Sequence, residues 1–343
     1  MSKLNWGIVG TGQIAGTFAK ALSESATGRL LAVGSRNQDT AEAFAREHNV
    51  TRIYAGYDNL LADPQVQVVY IATPHPMHVE WAIKAAEAGK HILMEKPIGM
   101  NQAQAQLAID AAAHADVFLM EAFMYRCHPQ THRLLEMIQN DAIGQIRLIR
   151  ATFSYEAPFE PQDLAYRKDL GGGGILDVGC YPISMSRLIA GAAIGEPFAQ
   201  PLEVKACGHL GPTGVDEYAV AVLRFTGGIV AEAVTGVNLN IEHDQWLEVV
   251  GSKGRLHVSE PWLAPRSDGS KPSLTLITAD KTSEISVEAP LDLYTYEANE
   301  VARCIDHRQS PAMSWADSLG NMQVLDQWRA EIGLTYDADW SDR

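Results

Sequence analysis

The predicted fold is decided by the stretch Leu4-Asn5-Trp6-Gly7-Ile8-Val9-Gly10-Thr11-Gly12-Gln13-Ile14-Ala15. A short apolar strand runs to Val9, the pattern G-x-G-x-x-A follows at once, and a helical pattern continues to Ala26. The first glycine permits a tight turn, the second lets the backbone approach a pyrophosphate, and the alanine lets the helix pack closely on the strand. The helix N-terminus adds N–H groups and a favourable dipole. This context predicts a dinucleotide site rather than a plain glycine turn, formed by Gly10, Thr11, Gly12, Gln13 and Ile14.

Strand and helix patterns alternate about six times in the first part of the chain. The strands predicted after the first are residues 30–33, 52–54, 66–72, 92–94 and 117–121, and the predicted helices include 39–48, 79–88 and 103–113. Short connections between alternating elements are typical of a doubly wound parallel sheet. We therefore expect a Rossmann-type domain over residues 1–123.

The end of the second predicted strand bears on the choice of cofactor. A cofactor without a 2′-phosphate usually meets an acidic residue about 20 residues beyond the glycine pattern. This chain has Ser35 and Arg36 there, and the first acidic residue after them is Asp39. A hydroxyl and a guanidinium suit a 2′-phosphate, which arginine can bind with two hydrogen bonds. NADP is therefore favoured over NAD, and the alternative is that Arg36 only stacks on the adenine.

A lysine follows the predicted strand at residues 92–94, in the sequence Glu95-Lys96-Pro97. Ligands of open parallel sheets bind beyond the carboxyl ends of the strands, so this lysine is a candidate for chemistry. The proline favours an extended lysine and allows a cis bond. The alternative is an ordinary lysine in a surface loop. We expect the cofactor to be contacted on its nicotinamide side by Thr73, Pro74, His78, Glu95 and Lys96.

The histidines at positions 75 and 78 also allow a metal interpretation, but no further paired ligand motif accompanies them. We therefore expect loop and helix-start histidines and no metal site.

The second half of the chain has a different pattern. Strands predicted at residues 146–155, 218–225, 229–237, 246–250 and 255–258 are joined by short glycine-containing turns. Successive hairpins indicate an antiparallel sheet. We expect a second α/β domain over residues 124–343, built on a large, open, mainly antiparallel sheet. The broad face of such a sheet needs covering, so we expect a homo-oligomer, either a dimer or a tetramer.

The run Gly171-Gly172-Gly173-Gly174-Ile175-Leu176-Asp177-Val178-Gly179-Cys180-Tyr181-Pro182 is the second informative stretch. Glycines let the backbone run close to a ligand. A helix is predicted to begin near Gly173. Because Asp177 and Tyr181 are four residues apart, their side chains would share one helix face and point at one place. The alternative is a glycine loop and an ordinary buried helix, with the tyrosine in the core.

The composition limits location and partners. The 343 residues are 46% hydrophobic and 20% charged, as expected for about two globular domains. The net charge of −15 argues against nucleic acid and anionic membrane surfaces as partners. No apolar run reaches the roughly 18 residues needed to span a bilayer, and no signal-peptide pattern follows Met1. The scattered cysteines include no CxxC, which favours the reducing cytoplasm over a disulfide framework or a zinc site.

Taken together, these motifs resemble the glucose-fructose oxidoreductase, inositol dehydrogenase and MocA-like family over nearly the whole chain. The resemblance also includes Glu121-Ala122-Phe123-Met124-Tyr125-Arg126 and the late segment from Ser310-Pro311 to Asp317-Ser318. It implies a Rossmann domain, a second domain whose open sheet is often used for dimerisation, and NAD(P)-dependent oxidation or reduction of sugars, polyols and related alcohols. The family's catalytic lysine and its aspartate correspond to Lys96 and Asp177.

Many members of that family have histidine where this chain has Tyr181. This difference places the chain nearer the tyrosine-bearing branches, which include dimeric trans-dihydrodiol dehydrogenases, D-xylose dehydrogenases and some keto-sugar reductases. Those branches are frequently NADP-linked. Two other readings are a dinucleotide-binding sensor without turnover and a glycosidase that uses a tightly held NAD.

The implied mechanism has Tyr181 exchange a proton with the substrate oxygen while hydride moves between carbon and nicotinamide. Tyrosine titrates near 10, above the useful range. A lysine charge about 4 Å away could lower that pKa by about three units at most, and desolvation would cancel part of the effect. We expect Lys96 to tune Tyr181 and hold the substrate oxygen, and Asp177 to hold a sugar hydroxyl or orient Lys96. Proton transfer by Lys96 itself is the alternative. Further candidate pocket residues are Tyr155, Tyr166 and Arg167.

Overall fold

The computed structural model describes residues 3–239, 244–264 and 271–340. The strands are β1 (Leu4–Val9), β2 (Gly28–Ser35), β3 (Arg52–Ala55), β4 (Val68–Ile71), β5 (His91–Glu95), β6 (Leu119–Ala122), β7 (Ile146–Ser154), β8 (Glu203–Leu210), β9 (Asp216–Arg224), β10 (Val230–Gly236), β11 (Asp244–Gly251), β12 (Gly254–Val258), β13 (Ser273–Thr278) and β14 (Thr282–Ser286). The helices are α1 (Gln13–Ser23), α2 (Gln38–His48), α3 (Tyr57–Leu61), α4 (His78–Glu87), α5 (Gln102–Ala115), α6 (Pro129–Gln139), α7 (Cys180–Ala192), α8 (Leu293–Cys304) and α9 (Trp315–Glu331).

The first sheet is parallel throughout. Among the described residues it contains six strands in the order β3-β2-β1-β4-β5-β6. The order reverses beside β1, as in a doubly wound sheet. Strands of such sheets are buried on both faces, which explains their continuous apolar runs. Ile92, Leu93 and Met94 of β5, for example, have no exposed surface. The predicted parallel sheet is confirmed.

The turn after β1 shows why its first glycine is needed. Gly10 has a φ of +114°, a conformation that side chains with a Cβ rarely adopt. A Cβ built at this position would also lie 2.6 Å from the carbonyl oxygen of Ala72. The chain therefore turns sharply at Gly10 and enters α1 three residues later.

The second sheet is mainly antiparallel. Its described strands follow the order β14-β13-β12-β11-β7-β10-β9-β8, and only β7 and β10 among these neighbours pair in parallel. The predicted large, mainly antiparallel sheet is confirmed. β8, β13 and β14 are additional to the predicted strands.

Two compact units divide the chain. The described parts of Met1–Gly99, Ala103–Cys127 and Leu291–Ser318 form the first unit, and the second contains Met100–Gln102, His128–Pro290 and the described part of Leu319–Arg343. Helix α8 belongs to the first unit, where Asn299 accepts hydrogen bonds from the hydroxyls of Ser25 and Thr27 at 2.8 Å and 2.7 Å. The domains proposed from the sequence, 1–123 and 124–343, stay a prediction, and these units are divided differently.

Within the part of the chain that the structure describes, no helix has the length and apolar character required to cross a bilayer.

Candidate active site

The glycine turn and the start of α1 form a cradle in the first unit. Gly12 is the N-cap of α1, and none of the described side chains caps the helix there. A Cβ built on Gly12 would meet no atom of the described residues within 4 Å, so among these residues its backbone faces open space. The first-turn N–H groups of α1 therefore border an open approach of the kind that a pyrophosphate uses. These features fit a dinucleotide cofactor.

The end of β2 has a hydroxyl network. Ser35 Oγ lies 2.7 Å from Thr40 Oγ1 and 3.4 Å from Thr11 Oγ1. Ser35 is 6% exposed, whereas Arg36 is exposed. Burial raises the pKa of Tyr57, and the Arg36 guanidinium beside its hydroxyl partly offsets that shift. Arg36 therefore extends from the strand end into solvent near an aromatic ring, an arrangement compatible with either phosphate binding or adenine stacking. Thr40 was not predicted, because its contact depends on the start of α2.

The loop after β4 contains a polar group that suits a ligand. Thr73 is 8% exposed, and its hydroxyl has no hydrogen-bond partner among the described residues. A buried hydroxyl without a partner costs roughly 1–3 kcal/mol, which a bound polar group can recover. Pro74 precedes a short 3₁₀ turn over His75–Met77. His78 begins α4, and its ring lies wholly inside the unit.

The Lys96 loop is held on both sides by buried groups. Glu95, the last residue of β5, accepts a hydrogen bond from the hydroxyl of Tyr70. The Lys96–Pro97 peptide bond is cis. Beyond it, the backbone N–H of Ile98 donates to Glu121 Oε1 at 2.9 Å. The lysine therefore lies at the carboxyl edge of the sheet, in a loop with buried hydrogen bonds on both sides.

Glu121 is the buried carboxyl group that holds the far side of the Lys96 loop. It lies in β6 with 1% of its surface exposed, and burial raises its pKa to about 7. In the loop, Glu121 accepts a hydrogen bond from a backbone N–H, and its carboxyl group can do so whether it is protonated or ionised. No sequence pattern predicts this contact, because Glu121 is 23 residues from Ile98.

The glycine run of the second unit is fixed at successive positions. Gly172 O accepts from the Tyr336 hydroxyl at 2.6 Å, and Gly174 O accepts from the Thr235 hydroxyl at 3.0 Å. Gly173 has a φ of +107°, and a Cβ there would lie 2.2 Å from Asp216 Oδ1. These contacts show a packing role for the glycines, and the approach of a ligand to this run stays a prediction.

Asp216 holds the start of the helical segment that carries Asp177 and Tyr181. Its carboxylate has no exposed surface, and Oδ2 accepts from the N–H of Ile175 at 2.7 Å. Burial raises the pKa of Asp216 to about 7. No sequence pattern predicted this residue, because it lies 41 positions from its partner.

The raised pKa of Asp216 makes stability depend on pH. The folded state holds this proton more tightly than the unfolded chain, whose aspartates titrate near 4. This contribution is complete below about pH 4 and is lost as the pH rises through about 7. In Asp216→Asn the amide oxygen can still accept from Ile175 but cannot ionise. We expect the loss of unfolding free energy between pH 5 and pH 8 to be smaller in the variant by about 2.5 kcal/mol. Urea unfolding at both pH values measures it, and parallel losses in the two proteins would contradict it.

Asp177 lies in a π-helical turn, Ile175–Gly179, that leads directly into α7. The prediction of a helix start near Gly173 is close, but the turn is wider than the regular helix assumed for the four-residue spacing. Asp177 Oδ2 accepts from the Tyr155 hydroxyl at 2.5 Å. Burial, and then the charge of Asp177, raise the pKa of Tyr155. Tyr155 is therefore a hydrogen-bond donor that fixes the direction of the carboxylate.

Tyr181 is packed against aromatic rings in the first turn of α7. It is 4% exposed, and its ring centroid lies 5.1 Å from that of Phe153 and 5.9 Å from that of Trp262. The indole N–H of Trp262 donates to Thr152 O at 2.9 Å, which fixes that ring. Phe153 lies near the end of β7, and Tyr155 is the first residue after the strand. Asp177 and Tyr181 therefore contact side chains two residues apart at the end of β7, although the helix between them is not regular. Lys96 belongs to the first unit, whereas these two belong to the second.

The other candidate pocket residues lie beside the glycine run. Tyr166 has no exposed surface, and its hydroxyl donates to Ala157 O at 2.6 Å. Arg167 pairs with Asp169, and both line a cavity of about 480 Å³. Among the described residues, no cluster of three or more histidine, cysteine, aspartate or glutamate side chains could hold a metal ion.

Comparison with known families gives two matches that together cover most of the chain. A family described as an oxidoreductase family with an NAD-binding Rossmann fold matches residues 4–123. The GFO/IDH/MocA C-terminal domain matches residues 131–257.

Relatives of known activity match almost end to end. A trans-1,2-dihydrobenzene-1,2-diol dehydrogenase of Xenopus tropicalis is 32% identical over 338 residues, which are 96% of this chain and 98% of the relative. A D-xylose 1-dehydrogenase (NADP⁺) of Haloferax volcanii is 29% identical over 97% of this chain and 99% of the relative. A crystal structure of a 3-ketoreductase from Actinomadura kijaniata with NADP and TDP-benzene is similar, with a TM-score of 0.85 and 28% identity over 96% of this chain and 98% of that one.

Proposed function

Because the chain belongs to the GFO/IDH/MocA oxidoreductase family, we propose that it is an NADP(H)-dependent enzyme that oxidises or reduces a CH–OH or C=O group of a sugar, polyol, keto-sugar or dihydrodiol. The observation that carries the proposal is the arrangement at one edge of the parallel sheet. An open glycine cradle follows β1, and a tightly held lysine loop follows β5. Initial rates at 340 nm with NADP and either D-xylose or trans-dihydrobenzenediol test it.

The relatives support both the cofactor and the substrate class. One is named as an NADP⁺-linked D-xylose dehydrogenase, and the similar ketoreductase was crystallised with NADP. That ketoreductase was also crystallised as a lysine-to-alanine and as a tyrosine-to-phenylalanine variant. We take this as support for a lysine and a tyrosine in the chemistry of this chain as well.

In the proposed mechanism, three side chains of this chain have distinct roles. A bound NADPH would supply the hydride in reduction, and a bound NADP⁺ would accept it in oxidation. Tyr181 gives a proton to the substrate oxygen in reduction and takes it back in oxidation. Lys96 supplies the positive charge that favours the tyrosinate and the developing alkoxide. Asp177, directed by Tyr155, holds a substrate hydroxyl.

Cofactor preference should depend on Arg36. In Arg36→Ala we expect the Kd of NADPH to rise at least about 10-fold, because a charge-assisted contact with the 2′-phosphate is lost. The Kd of NADH should change about 2-fold or less. Quenching of protein fluorescence on titration with each cofactor measures both values, and Arg46→Ala, in the last turn of α2, is the matched control. Equal weakening of both cofactors would mean that Arg36 stacks on the adenine and does not select NADP.

We also propose that the chain forms a homo-oligomer through the second sheet. Tyr218, Val220 and Val222 alternate along β9 and are 42%, 38% and 46% exposed. Apolar side chains repeated on one face of a sheet favour a second protein surface. We expect light scattering at micromolar concentration to give the mass of a dimer or tetramer, and Val220→Asp to lower it. A monomeric wild-type protein would contradict this proposal.

A further inference from the structure

One imidazole ring connects two loops at the carboxyl edge of the first sheet. His78 Nδ1 lies 2.8 Å from the carbonyl oxygen of Pro97, and Nε2 lies 2.8 Å from that of Thr73. The ring has no exposed surface. One loop leads from Lys96, and the other contains the buried Thr73 hydroxyl. Both ring nitrogens are directed at the backbone of the same unit, and the predicted contact of His78 with the cofactor stays a prediction.

The ionisation of the ring is opposed by its burial and by the Lys96 charge. Burial lowers the pKa of His78 to about 4, and the charge of Lys96 also acts in that direction. A carbonyl oxygen only accepts, so the neutral ring donates to one carbonyl and the protonated ring donates to both, and these two contacts act to raise the pKa against burial. The ring is therefore a rigid spacer between the loops, and changing it alters the position of both.

We propose that His78 is a positioning residue: by holding the carbonyl of Pro97, it sets the place and environment of the Lys96 ammonium. This inference rests on the proposed function, which assigns Lys96 a role in the proton chemistry. A misplacement of about 1 Å can reduce a rate about 100-fold, so a residue that touches no substrate can still control turnover. The competing explanation is a core histidine that only stabilises the fold.

His91 provides a matched control, because it is a histidine of β5, the strand that Lys96 follows. It is the first residue of β5, whereas Lys96 follows the last. Its Nδ1 accepts from the N–H of Phe118 at 3.0 Å, and burial lowers its pKa too. His91→Asn thus disturbs a half-buried histidine at the opposite end of the strand.

The first experiment needs no substrate. Protein labelled with [¹³Cε]lysine is titrated by NMR without cofactor, and the Lys96 signal is assigned by its loss in Lys96→Ala. In His78→Asn we expect the Lys96 signal to move and its titration midpoint to shift by about half a pH unit or more, because the loop that carries the ammonium would move relative to its charged and polar neighbours. His91→Asn should leave that signal unchanged. An unchanged Lys96 titration in His78→Asn would overturn the proposal. If that variant does not fold, His78→Gln, whose amide lies near the place of Nε2 and leaves the Nδ1 contact with Pro97 unmade, serves in its place.

A double-mutant cycle then measures the effect on turnover. With the substrate that supports the highest wild-type rate, His78→Asn should lower kcat about 10- to 100-fold. In the Lys96→Ala background the same change should lower kcat by less than about 3-fold. A residue that acts only through Lys96 has no further effect on turnover once the lysine is absent. Equal losses in both backgrounds would show a purely structural role and overturn the proposal. A normal rate in Lys96→Ala alone would refute the proposed proton role of Lys96, whereas the NMR result would still decide whether His78 positions it.

Discussion

Replacing Tyr181 by phenylalanine should lower kcat by about two to four orders of magnitude, the usual contribution of a positioned acid–base group. The substitution removes only the hydroxyl. The ring keeps its packing against Phe153 and Trp262, so the helix should stay in place. The Kd of NADPH should therefore change little, since the cofactor cradle belongs to the other unit.

The measurement is a pair of experiments on one preparation: steady-state kinetics and cofactor titration. Tyr54→Phe is the control, because it also removes a tyrosine hydroxyl that donates a hydrogen bond, at 2.9 Å to Asp63, in the first unit. We expect Tyr54→Phe to keep a near-normal kcat. If Tyr181→Phe also turned over at a near-normal rate, the tyrosine would have no part in the proton transfer.

Replacing Lys96 by methionine should lower kcat by about two to three orders of magnitude. Methionine keeps an unbranched side chain of similar length but removes the charge that favours a tyrosinate and an alkoxide. In the direction of reduction, where Tyr181 must hold its proton, the basic limb of the pH–rate profile should then move to higher pH. The loop itself should persist, because Tyr70 and Glu121 hold its two sides independently of the lysine side chain.

Initial rates from pH 6 to pH 10 measure both effects of the lysine. Lys84→Met is the matched control, since Lys84 is an exposed lysine of α4 that pairs with Glu80. Its profile should coincide with that of the wild-type protein. A Lys96→Met enzyme with reduced kcat but an unshifted profile would mean that the lysine holds substrate without tuning Tyr181.

Local patterns predicted the parts of the fold that depend on neighbours in the chain. The turn at Gly10 could be predicted because its conformation and its close approach to Ala72 both require glycine. β5 could be predicted because a parallel strand buried on both faces reads as a continuous apolar run. The strands β8, β13 and β14 were missed. β8 and β14 are edge strands with many exposed residues, so their sequences lack the apolar alternation that the search used.

The site was predicted less completely, because its supports are long-range. Asp177 and Tyr181 could be found from their sequence context, but the π-helical turn could not, since it depends on how Asp216 and Thr235 hold the glycine run. Neither residue lies in a recognisable motif. The two hydrogen-bonding contacts of His78 likewise exist only after β4 and β5 have paired.

The central claim is NADP-dependent oxidation or reduction of a hydroxyl-bearing carbon, and a rate measurement at 340 nm tests it most directly. NADP and NAD are supplied separately with aldoses, inositols, anhydrosugars and dihydrodiols, and NADPH and NADH with keto-sugars and dicarbonyl compounds. We expect turnover with one substrate class, faster with NADP(H) than with NAD(H) and abolished in Tyr181→Phe. Tight cofactor binding without turnover on any class would contradict the claim and favour a dinucleotide-binding sensor.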